Sequence, residues 1–291
     1  MNLIILDAGH NEYVSGKEAP DKSMREFEFN DWMQKYLKPR LIELGFKVYL
    51  TNPNPYKKNE IGLTKRANLA NDYWKSLGKP NALFISIHAN AFGVWTNANG
   101  PETYHALNAS SKSKQASKLI NDEVYATIKQ LRTNSVNRGV KAKNWTVIQK
   151  ASMPSILVEY AFYTNKDDLK ILKNNRKDLA EATIRGICKH FNVTYVPPKT
   201  QDNTSQNSSN TQANQSNAKY KNGAYSRKAK VTASSLRVRG GRPGQANYDK
   251  ILDFLPKGTI IKVEYCLNGW FSIYTDKANP GFICGDYLEL I

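Results

Sequence analysis

The segment ALFISIH, residues 82–88, is apolar at almost every position and ends in a histidine. A strand with apolar side chains on both faces must be covered on both faces, which is typical of a parallel sheet flanked by helices. Four other short segments have the same character: NLIILD (2–7), FKVYLT (46–51), WTVIQ (145–149) and ILVEYAF (156–162). We therefore predict that these five segments are strands of one sheet.

Segments with helical spacing of apolar residues lie between these strands. They are residues 24–44, 60–76, 112–131 and 177–191. Strands that alternate with helices predict βαβ units and therefore a parallel sheet. The fold predicted for residues 1–195 is α/β, with a mainly parallel sheet and helices on both faces.

A polar segment separates this first domain from the rest of the chain. Residues 200–217, TQDNTSQNSSNTQANQSN, include one charged residue and no aromatic or large aliphatic side chain. Such a composition buries too little apolar surface to offset the entropy lost when the backbone becomes ordered. We predict a flexible linker over residues 196–225.

Beyond the linker, residues 226–291 change to short β-rich segments separated by turns. The segments are SLRVRGGRPG (235–244), KGTIIKVEY (257–265), NGWFSIYT (268–275) and GFICGDYLELI (281–291). Asn268-Gly269 predicts a hairpin turn, and Pro280-Gly281 predicts a second turn. The pattern predicts a small all-β domain that is large enough to fold alone.

Composition and charge exclude several classes of protein. No run approaches the roughly 20 apolar residues that cross a bilayer, so we expect no membrane insertion. The N-terminal segment reaches Asp7 too early for a secretory signal peptide, which favours synthesis in the cytoplasm. The formal net charge of +17 suits either a solvated basic surface or an anionic polymer as partner. Because no nucleic-acid-binding motif accompanies this charge, we expect no nucleic acid partner.

Two histidines lie where predicted strands end. His10 follows the first strand, and His88 ends the strand at 82–88. Ligands of such folds bind beside the carboxyl ends of the strands, so both imidazoles are expected at one edge of the sheet. Two His and one Glu, with one position left open, form a known catalytic zinc set. The sequence therefore predicts a metal site that needs one carboxylate.

The first predicted helix offers two carboxylates for this site, Glu26 and Glu28. The residues that share the helix face of Glu26 are Asn30, Met33 and Leu37. That face is predicted to turn toward the sheet, which favours Glu26, whereas Glu28 projects from another side. Both glutamates also suit a simpler role at the start of a helix, where acidic side chains interact with the dipole.

Glu159 is a carboxylate inside the apolar segment at 156–162. A buried Glu is rare unless it is paired or bound to a ligand. Close to a zinc ion, it would accept a proton from the attacking water and pass that proton to the leaving amine. The alternative is a glutamate that reaches solvent, or an arginine, at the end of its strand.

The two remaining histidines are expected outside the metal site. His190 lies in the last predicted helix, far in sequence from the first strand, and suits a surface or packing role. His105 lies in a candidate strand, PETYHAL (101–107). It suits either a half-exposed position on that strand or the lining of a substrate cleft.

The candidate residues belong to a series of longer motifs. They are ILDAGH (5–10), Glu26-x-x-x-Asn30, LTKRANLAN (63–71), LFISIHANA (83–91), GPETY (100–104), RGVK (138–141) and MPSILVEYAFYTN (153–165). In order and spacing, this series resembles the zinc N-acetylmuramoyl-L-alanine amidases known as amidase type 3. The resemblance covers most of residues 1–193.

The resemblance implies a role for each candidate residue. Zinc would be held by His10, Glu26 and His88, and Glu159 would be the catalytic glutamate. The register of the Glu-x-x-x-Asn motif also favours Glu26 over Glu28. The implied reaction is hydrolysis of the amide between N-acetylmuramic acid and L-alanine in peptidoglycan, with Zn²⁺ as cofactor. The alternatives are a zinc peptidase that cuts within the stem peptide and a non-catalytic wall-binding protein.

Residues 226–291 are similar to a bacterial SH3-type wall-binding domain. With the catalytic domain and the linker, the whole chain resembles a phage endolysin of a Gram-positive host, and a bacterial autolysin is the close alternative. The resemblance implies that the partners are peptidoglycan and associated wall polymers. It also implies synthesis in the host cytoplasm without a signal peptide and action on the wall after release. Self-association through the C-terminal domain is left open.

Overall fold

The computed structural model describes residues 1–56, 58–198, 219–243, 248, 250–274 and 280–291. The chain divides into two compact units, Met1–Asn203 and Thr204–Ile291. The polar segment at 200–217 lies outside the described residues, so the predicted linker and the domain boundaries stay predictions. Within the described ranges, no helix is long and apolar enough to cross a membrane.

In the described part of the first unit, six strands form one sheet. The strands are β1 (Asn2–Ala8), β2 (Lys47–Leu50), β3 (Asn81–Asn90), β4 (Glu102–His105), β5 (Gly139–Ala142) and β6 (Ser155–Phe162). Their order across the sheet is β2-β1-β3-β6-β4-β5. Every neighbouring pair is parallel except β4 and β6, which are antiparallel.

The described residues of this unit include six helices that cover both faces of the sheet, which confirms the predicted fold class. They are α1 (Glu26–Glu43), α2 (Leu63–Ser76), α3 (Ser111–Leu131), α4 (Thr146–Gln149), α5 (Lys166–Asn174) and α6 (Arg176–Phe191). On β1, Ile4 and Leu6 enter the core formed with α1, α3, α5 and α6. Leu3 and Ile5 enter the opposite core, with α2 and α4. Successive strand residues thus face different helical layers, as a fully covered strand requires.

The strand predicted at residues 145–149 is wrong, because this segment contains the single helical turn α4. Val147 and Ile148 are adjacent and both are buried in the same core. Neighbouring residues of a strand point to opposite faces, whereas one helical turn can direct both toward one core. The structure also adds β5 and α5, which the sequence pattern does not predict.

The second unit is the expected small all-β domain. Its strands are β7 (Gly223–Val231), β8 (Ser235–Arg239), β9 (Ile251–Pro256), β10 (Ile260–Leu267), β11 (Trp270–Tyr274), β12 (Pro280–Cys284) and β13 (Leu288–Leu290). They form an antiparallel sheet in the order β13-β7-β10-β11-β12-β8-β9. The SH3-type identity of this domain stays a prediction.

The Asn268-Gly269 hairpin is confirmed. The two residues have φ values of 51° and 76°, and Leu267 pairs with Trp270 directly across them. Positive φ at both central residues is what a type I′ hairpin turn requires.

The turn predicted at Pro280-Gly281 is wrong, because both residues lie in β12 and pair with β11. Proline has no N–H to donate to the sheet, but it is tolerated as the first residue of a strand. Pro280 occupies that position.

Candidate active site

The turn after β1 brings His10 close to the end of β3. A Cβ on Gly9 would lie 2.1 Å from Cε1 of His88, so only glycine permits this approach of backbone to imidazole. His10 itself has a φ of 60°. This left-handed conformation is uncommon outside glycine, although His is enriched in it. The ILDAGH motif therefore encodes the close placement of two imidazoles.

Two polar side chains hold this turn in place. Asn52 donates its Nδ2 to the carbonyls of Ala8 and His10, at 3.0 Å in each case. Arg66, which is 1% exposed, donates to the Ala8 carbonyl and pairs with Asp7 at 3.2 Å. Buried backbone carbonyls need such donors. Arg66 therefore gives the LTKRANLAN motif a structural role, since α2 anchors the turn of the first motif.

Glu26 lies between the two imidazoles at the N-terminus of α1. Its Oε1 is 2.9 Å from Nδ1 of His88, and its Oε2 is 3.3 Å from Nε2 of His10. The backbone N–H of Ala89 also donates to Oε1, at 3.2 Å. The two imidazole rings are perpendicular, with centroids 5.1 Å apart. The structure thus brings together the three residues that the sequence predicts as metal ligands.

The structure separates Glu26 from its competitor on α1. Glu26 is 3% exposed, whereas Glu28 is exposed and accepts a hydrogen bond from the backbone N–H of Arg25 at 3.2 Å. Asn30, one turn after Glu26, donates its Nδ2 to the Gly9 carbonyl at 3.0 Å. The Glu-x-x-x-Asn spacing therefore places a carboxylate in the site and ties α1 to the turn that carries His10.

The surroundings of Glu26 favour its ionised form. Burial would raise the pKa of this carboxyl, but the imidazoles of His10 and His88 outweigh burial and hold the pKa well below its ordinary value. The ligand atoms of His10, Glu26 and His88 all lie within 4.8 Å of one another. Two imidazole nitrogens and a carboxylate oxygen are donors that zinc prefers, and their number leaves a position for substrate or water.

Glu159 lies beside this cluster, on the neighbouring strand. It is in register with His88 of β3, and register partners point to the same face of a sheet. Its Oε2 atom is buried and has no hydrogen-bond partner among the described residues. Burial, followed by the charges of Glu26 and Glu102, raises the pKa of the Glu159 carboxyl well above its ordinary value.

A third carboxylate, Glu102, pairs in register with Glu159 from the other side. In contrast to Glu159, it has many partners. Arg138 Nε and Tyr104 OH each donate to it at 2.9 Å, Asn90 Nδ2 donates at 2.5 Å, and Lys141 Nζ also donates. Burial would raise the pKa of Glu102, but Lys141 and Arg138 hold it below the ordinary value.

Sequence analysis does not assign a role to Glu102, although the residue lies in the GPETY motif. The reason is the direction of β4. Because β4 runs antiparallel to β6, its first residue lies at the edge where β3 and β6 end. Strand-end reasoning for parallel sheets places the start of a strand at the opposite edge. The sequence contains one signal for this group of charges: the GPETY and RGVK motifs both carry charged residues, and these residues meet here.

The other two histidines are not part of the cluster of His10, Glu26 and His88. His105 ends β4, is half-buried, and its Nδ1 lies 2.8 Å from the Ala106 carbonyl oxygen. His190 lies near the end of α6, stacked edge-on against Phe191. Burial lowers the pKa of the His190 imidazole, as expected for a packed side chain.

Residues 4–189 match the N-acetylmuramoyl-L-alanine amidase family of the amidase type 3 class. The chain belongs to this family. The match begins in β1 and ends in α6, so the amidase domain includes the elements that carry His10, Glu26, His88 and Glu159.

Individual relatives are similar over the same domain. The chain is 31% identical to the endolysin of Bacillus phage SPP1 over 196 residues, which is 66% of each protein. It is 32% identical to the N-acetylmuramoyl-L-alanine amidase LytC of Bacillus subtilis (strain 168) over 171 residues, 58% of this chain and 31% of that protein. The matches therefore cover about two thirds of one relative and about one third of the other.

The amidase domain also resembles a solved structure. The catalytic domain of CwlV, an N-acetylmuramoyl-L-alanine amidase from Bacillus (Paenibacillus) polymyxa var. colistinus, is 25% identical with a TM-score of 0.56. The superposition covers 67% of this chain and 100% of that domain. The similarity thus spans a complete catalytic domain of the family.

Proposed function

We propose that this chain is a zinc-dependent N-acetylmuramoyl-L-alanine amidase that cuts the amide between muramic acid and L-alanine in peptidoglycan. The observation that carries the proposal is the juxtaposition of a His₂Glu cluster with Glu159, whose buried Oε2 atom has no hydrogen-bond partner among the described residues. Membership of the amidase family supports the bond that is cut, since the phage endolysin and LytC match over the same domain.

The donor set fits zinc. Ligand atoms of a tetrahedral zinc site with bonds of about 2.0–2.1 Å are about 3.3 Å apart. His10 Nε2 and Glu26 Oε2 are 3.3 Å apart, and the ligand atoms of all three residues lie within 4.8 Å of one another. His10, Glu26 and His88 would hold the ion. Asn30, Asn52 and Arg66 would fix the ligand-bearing backbone, and such supporting contacts orient metal ligands in other proteins. A zinc ion held there would supply a Lewis acid for the amide carbonyl and lower the pKa of a water.

Glu159 handles the proton in this mechanism. Its carboxylate takes a proton from the attacking water and then donates that proton to the alanine nitrogen as the amide bond breaks. A general acid and base works best when its pKa lies near the working pH, and burial moves the pKa of Glu159 in that direction. The Oε2 atom has no hydrogen-bond partner among the described residues, so no contact within the described protein competes with water or the leaving amine for it.

We further propose that residues 226–291 are an SH3-type domain that binds the cell wall. Its net basic character suits anionic wall polymers, and a tethered wall-binding domain raises the effective concentration of the amidase at an insoluble substrate. In this proposal the protein is an endolysin, made in the cytoplasm of a Gram-positive host and active on the wall after release. The similarity to the SPP1 endolysin supports it.

Mass spectrometry of digested peptidoglycan tests the function. The amidase releases peptides with new alanine amino termini and leaves intact muramic acid, and a chelator is expected to stop the release until zinc is added. New amino groups from within the stem peptide would instead identify a zinc peptidase. Wall binding without any released group would identify a non-catalytic wall-binding protein.

A further inference from the structure

A cavity of about 340 Å³ lies at the edge of the sheet where β3 and β6 end and β4 begins. Its lining includes Asn90 at the end of β3, Glu102 at the start of β4 and Phe162 at the end of β6, together with Phe92 and Arg138. Glu102 is the register partner of Glu159, so the cavity begins one strand away from the proton-handling carboxyl. Nothing in the proposed hydrolysis uses this space.

Arg138 is fixed in this cavity by two contacts. Its Nε donates to Glu102 at 2.9 Å, and its Cζ lies 4.9 Å from the centroid of the Phe162 ring. Guanidinium groups held against a carboxylate and an aromatic face lose much of their rotational freedom. The side chain is nevertheless 32% exposed. The guanidinium of Arg138 is thus held in one orientation before any ligand binds, and it is still accessible to solvent.

The terminal nitrogens of Arg138 have no partner in the described part of the chain. Glu102 receives only the Nε donor, and no hydrogen bond joins Nη1 or Nη2 to another described residue. These two nitrogens form the edge of the guanidinium that binds carboxylates with two parallel hydrogen bonds. The cavity therefore presents a carboxylate-binding edge that the protein itself does not fill.

The charge balance around Glu102 points to the same kind of ligand. Its single carboxylate faces two cations, Arg138 and Lys141. Apart from Glu159 on the next strand, these three groups carry one excess positive charge, and both cations are partly exposed, so an anionic group can reach and neutralise them.

We propose that Arg138 binds the α-carboxylate of the residue that follows L-alanine in the stem peptide. This inference rests on the proposed function, because it assumes that the amide is cut beside Glu159. The glycan strand is neutral where its lactyl carboxyl is bound in the amide, so a substrate carboxylate at this position comes from the peptide. The residue after L-alanine is a glutamate linked through its γ-carboxyl, which leaves its α-carboxyl free or amidated.

The spacing suits this assignment. Glu102 lies two strands from His88, and neighbouring strands are about 4.8 Å apart. Two residues of extended peptide span about 7 Å. A peptide that has its alanine nitrogen at Glu159 and runs toward β4 therefore has the reach to bring its next α-carboxylate to the cavity that Arg138 lines. The structure thus assigns Arg138 to substrate specificity on the released side of the amide.

Binding of two matched peptides to the full-length, zinc-loaded protein tests the proposal without relying on turnover. The probes are L-alanyl-D-glutamate γ-methylamide and the same peptide with its α-carboxylate converted to a carboxamide. Charge-assisted hydrogen bonds are worth a factor of about 10 to 100 in affinity. Calorimetry is therefore expected to give at least about tenfold tighter binding of the carboxylate peptide by the wild type.

Three variants identify the residue responsible. Arg138→Gln is expected to bind both peptides equally, and Arg138→Lys, which keeps the charge but loses the fork, is expected to discriminate less than the wild type. Lys143→Gln removes an exposed neighbouring charge that does not line the cavity, and it is expected to discriminate like the wild type. Thermal melting of each variant shows whether it is folded. If Arg138→Gln does not fold, Arg138→Lys still tests the proposal.

Equal binding of the two peptides by the wild type would overturn the carboxylate site, as would full discrimination in Arg138→Gln. A wild type that discriminates between the peptides but does not release alanine amino termini from peptidoglycan would uphold this site and overturn the amidase proposal. A wild type that cuts peptidoglycan but binds the two peptides equally would uphold the amidase proposal and overturn the carboxylate site.

Discussion

Glu26 and Glu159 are both acidic side chains at the same edge of one sheet, but their surroundings are opposite. Glu26 contacts two imidazoles and a backbone N–H, and the two imidazoles lower its pKa. Glu159 has a buried oxygen without a partner, and its pKa is raised. His88 lies between them: it contacts Glu26 and is in register with Glu159.

The different surroundings of Glu26 and Glu159 suit two different chemical roles. A metal ligand must be ionised and held rigidly, and every contact of Glu26 serves that end. A proton carrier must exist in both protonation states, and partners that favoured one state would slow it. A buried polar atom without a hydrogen-bond partner costs about 1–3 kcal/mol, so the presence of the Glu159 Oε2 atom at this place favours a functional role.

The largest effect is expected when the carboxylate of Glu26 is removed. Glu26→Gln removes the anionic ligand, and we expect both bound zinc and peptidoglycan cleavage to be lost. Metal analysis after gel filtration measures the first, and release of alanine amino termini measures the second. Glu28→Gln, two residues away and exposed, is the matched control and is expected to keep both. Equal zinc in Glu26→Gln and the wild type would contradict the assignment of this ligand.

A smaller effect is expected at Asn30, which supports the ligands without touching the metal. Asn30→Ala leaves the Gly9 carbonyl without its donor at 3.0 Å. Loss of such a supporting contact typically costs about 10–100-fold in metal affinity or activity. Competition with a zinc chelator measures the affinity. An unchanged zinc affinity would show that the Asn of the Glu-x-x-x-Asn motif does not position the site.

In the metal-free protein, Glu26 and Glu159 are expected to change the stability of the fold in opposite directions as pH rises. The raised pKa of Glu159 contributes stability only while the group is protonated, so this stability is lost as pH rises above the ordinary glutamate range. The lowered pKa of Glu26 has the opposite sign, and its contribution is lost as pH falls.

Glu159→Gln is therefore expected to gain stability over the wild type as pH rises from the ordinary glutamate range toward neutrality. The shift is about 2–4 °C for each kcal/mol in a domain of this size, measured by calorimetry in chelator. Glu28→Gln is again the control. A constant difference between Glu159→Gln and the wild type across this pH range would show that the Glu159 pKa is not raised.

The sequence predicts one half of this site better than the other, for a physical reason. His10 and His88 follow parallel strands, whose carboxyl ends meet at one edge, and the periodicity of α1 selects Glu26 over Glu28. These are local rules. The partners of Glu102 lie 36 and 39 residues away, at Arg138 and Lys141, and the pairing of β4 with β5 brings them together. Pairing across such distances is not encoded in local periodicity.

The same limit explains the errors in the fold. Val147 and Ile148 suit a short strand as well as a helical turn, and only their burial in the same core identifies the helical turn. Pro280-Gly281 has the composition of a turn, and only pairing with β11 identifies it as the start of a strand. By contrast, the long helices α1 and α3 differ from prediction by at most two residues at either end.

The most direct test of the account measures zinc content and turnover on the same sample of Glu159→Gln. We expect this variant to bind zinc in the same amount as the wild type and to release alanine amino termini about 10²–10⁴-fold more slowly, because general acid and base catalysis is lost. Turnover within a few-fold of the wild type, with zinc bound, would contradict the role of Glu159. Loss of zinc from this variant would contradict the separation of ligand and proton carrier on which the account rests.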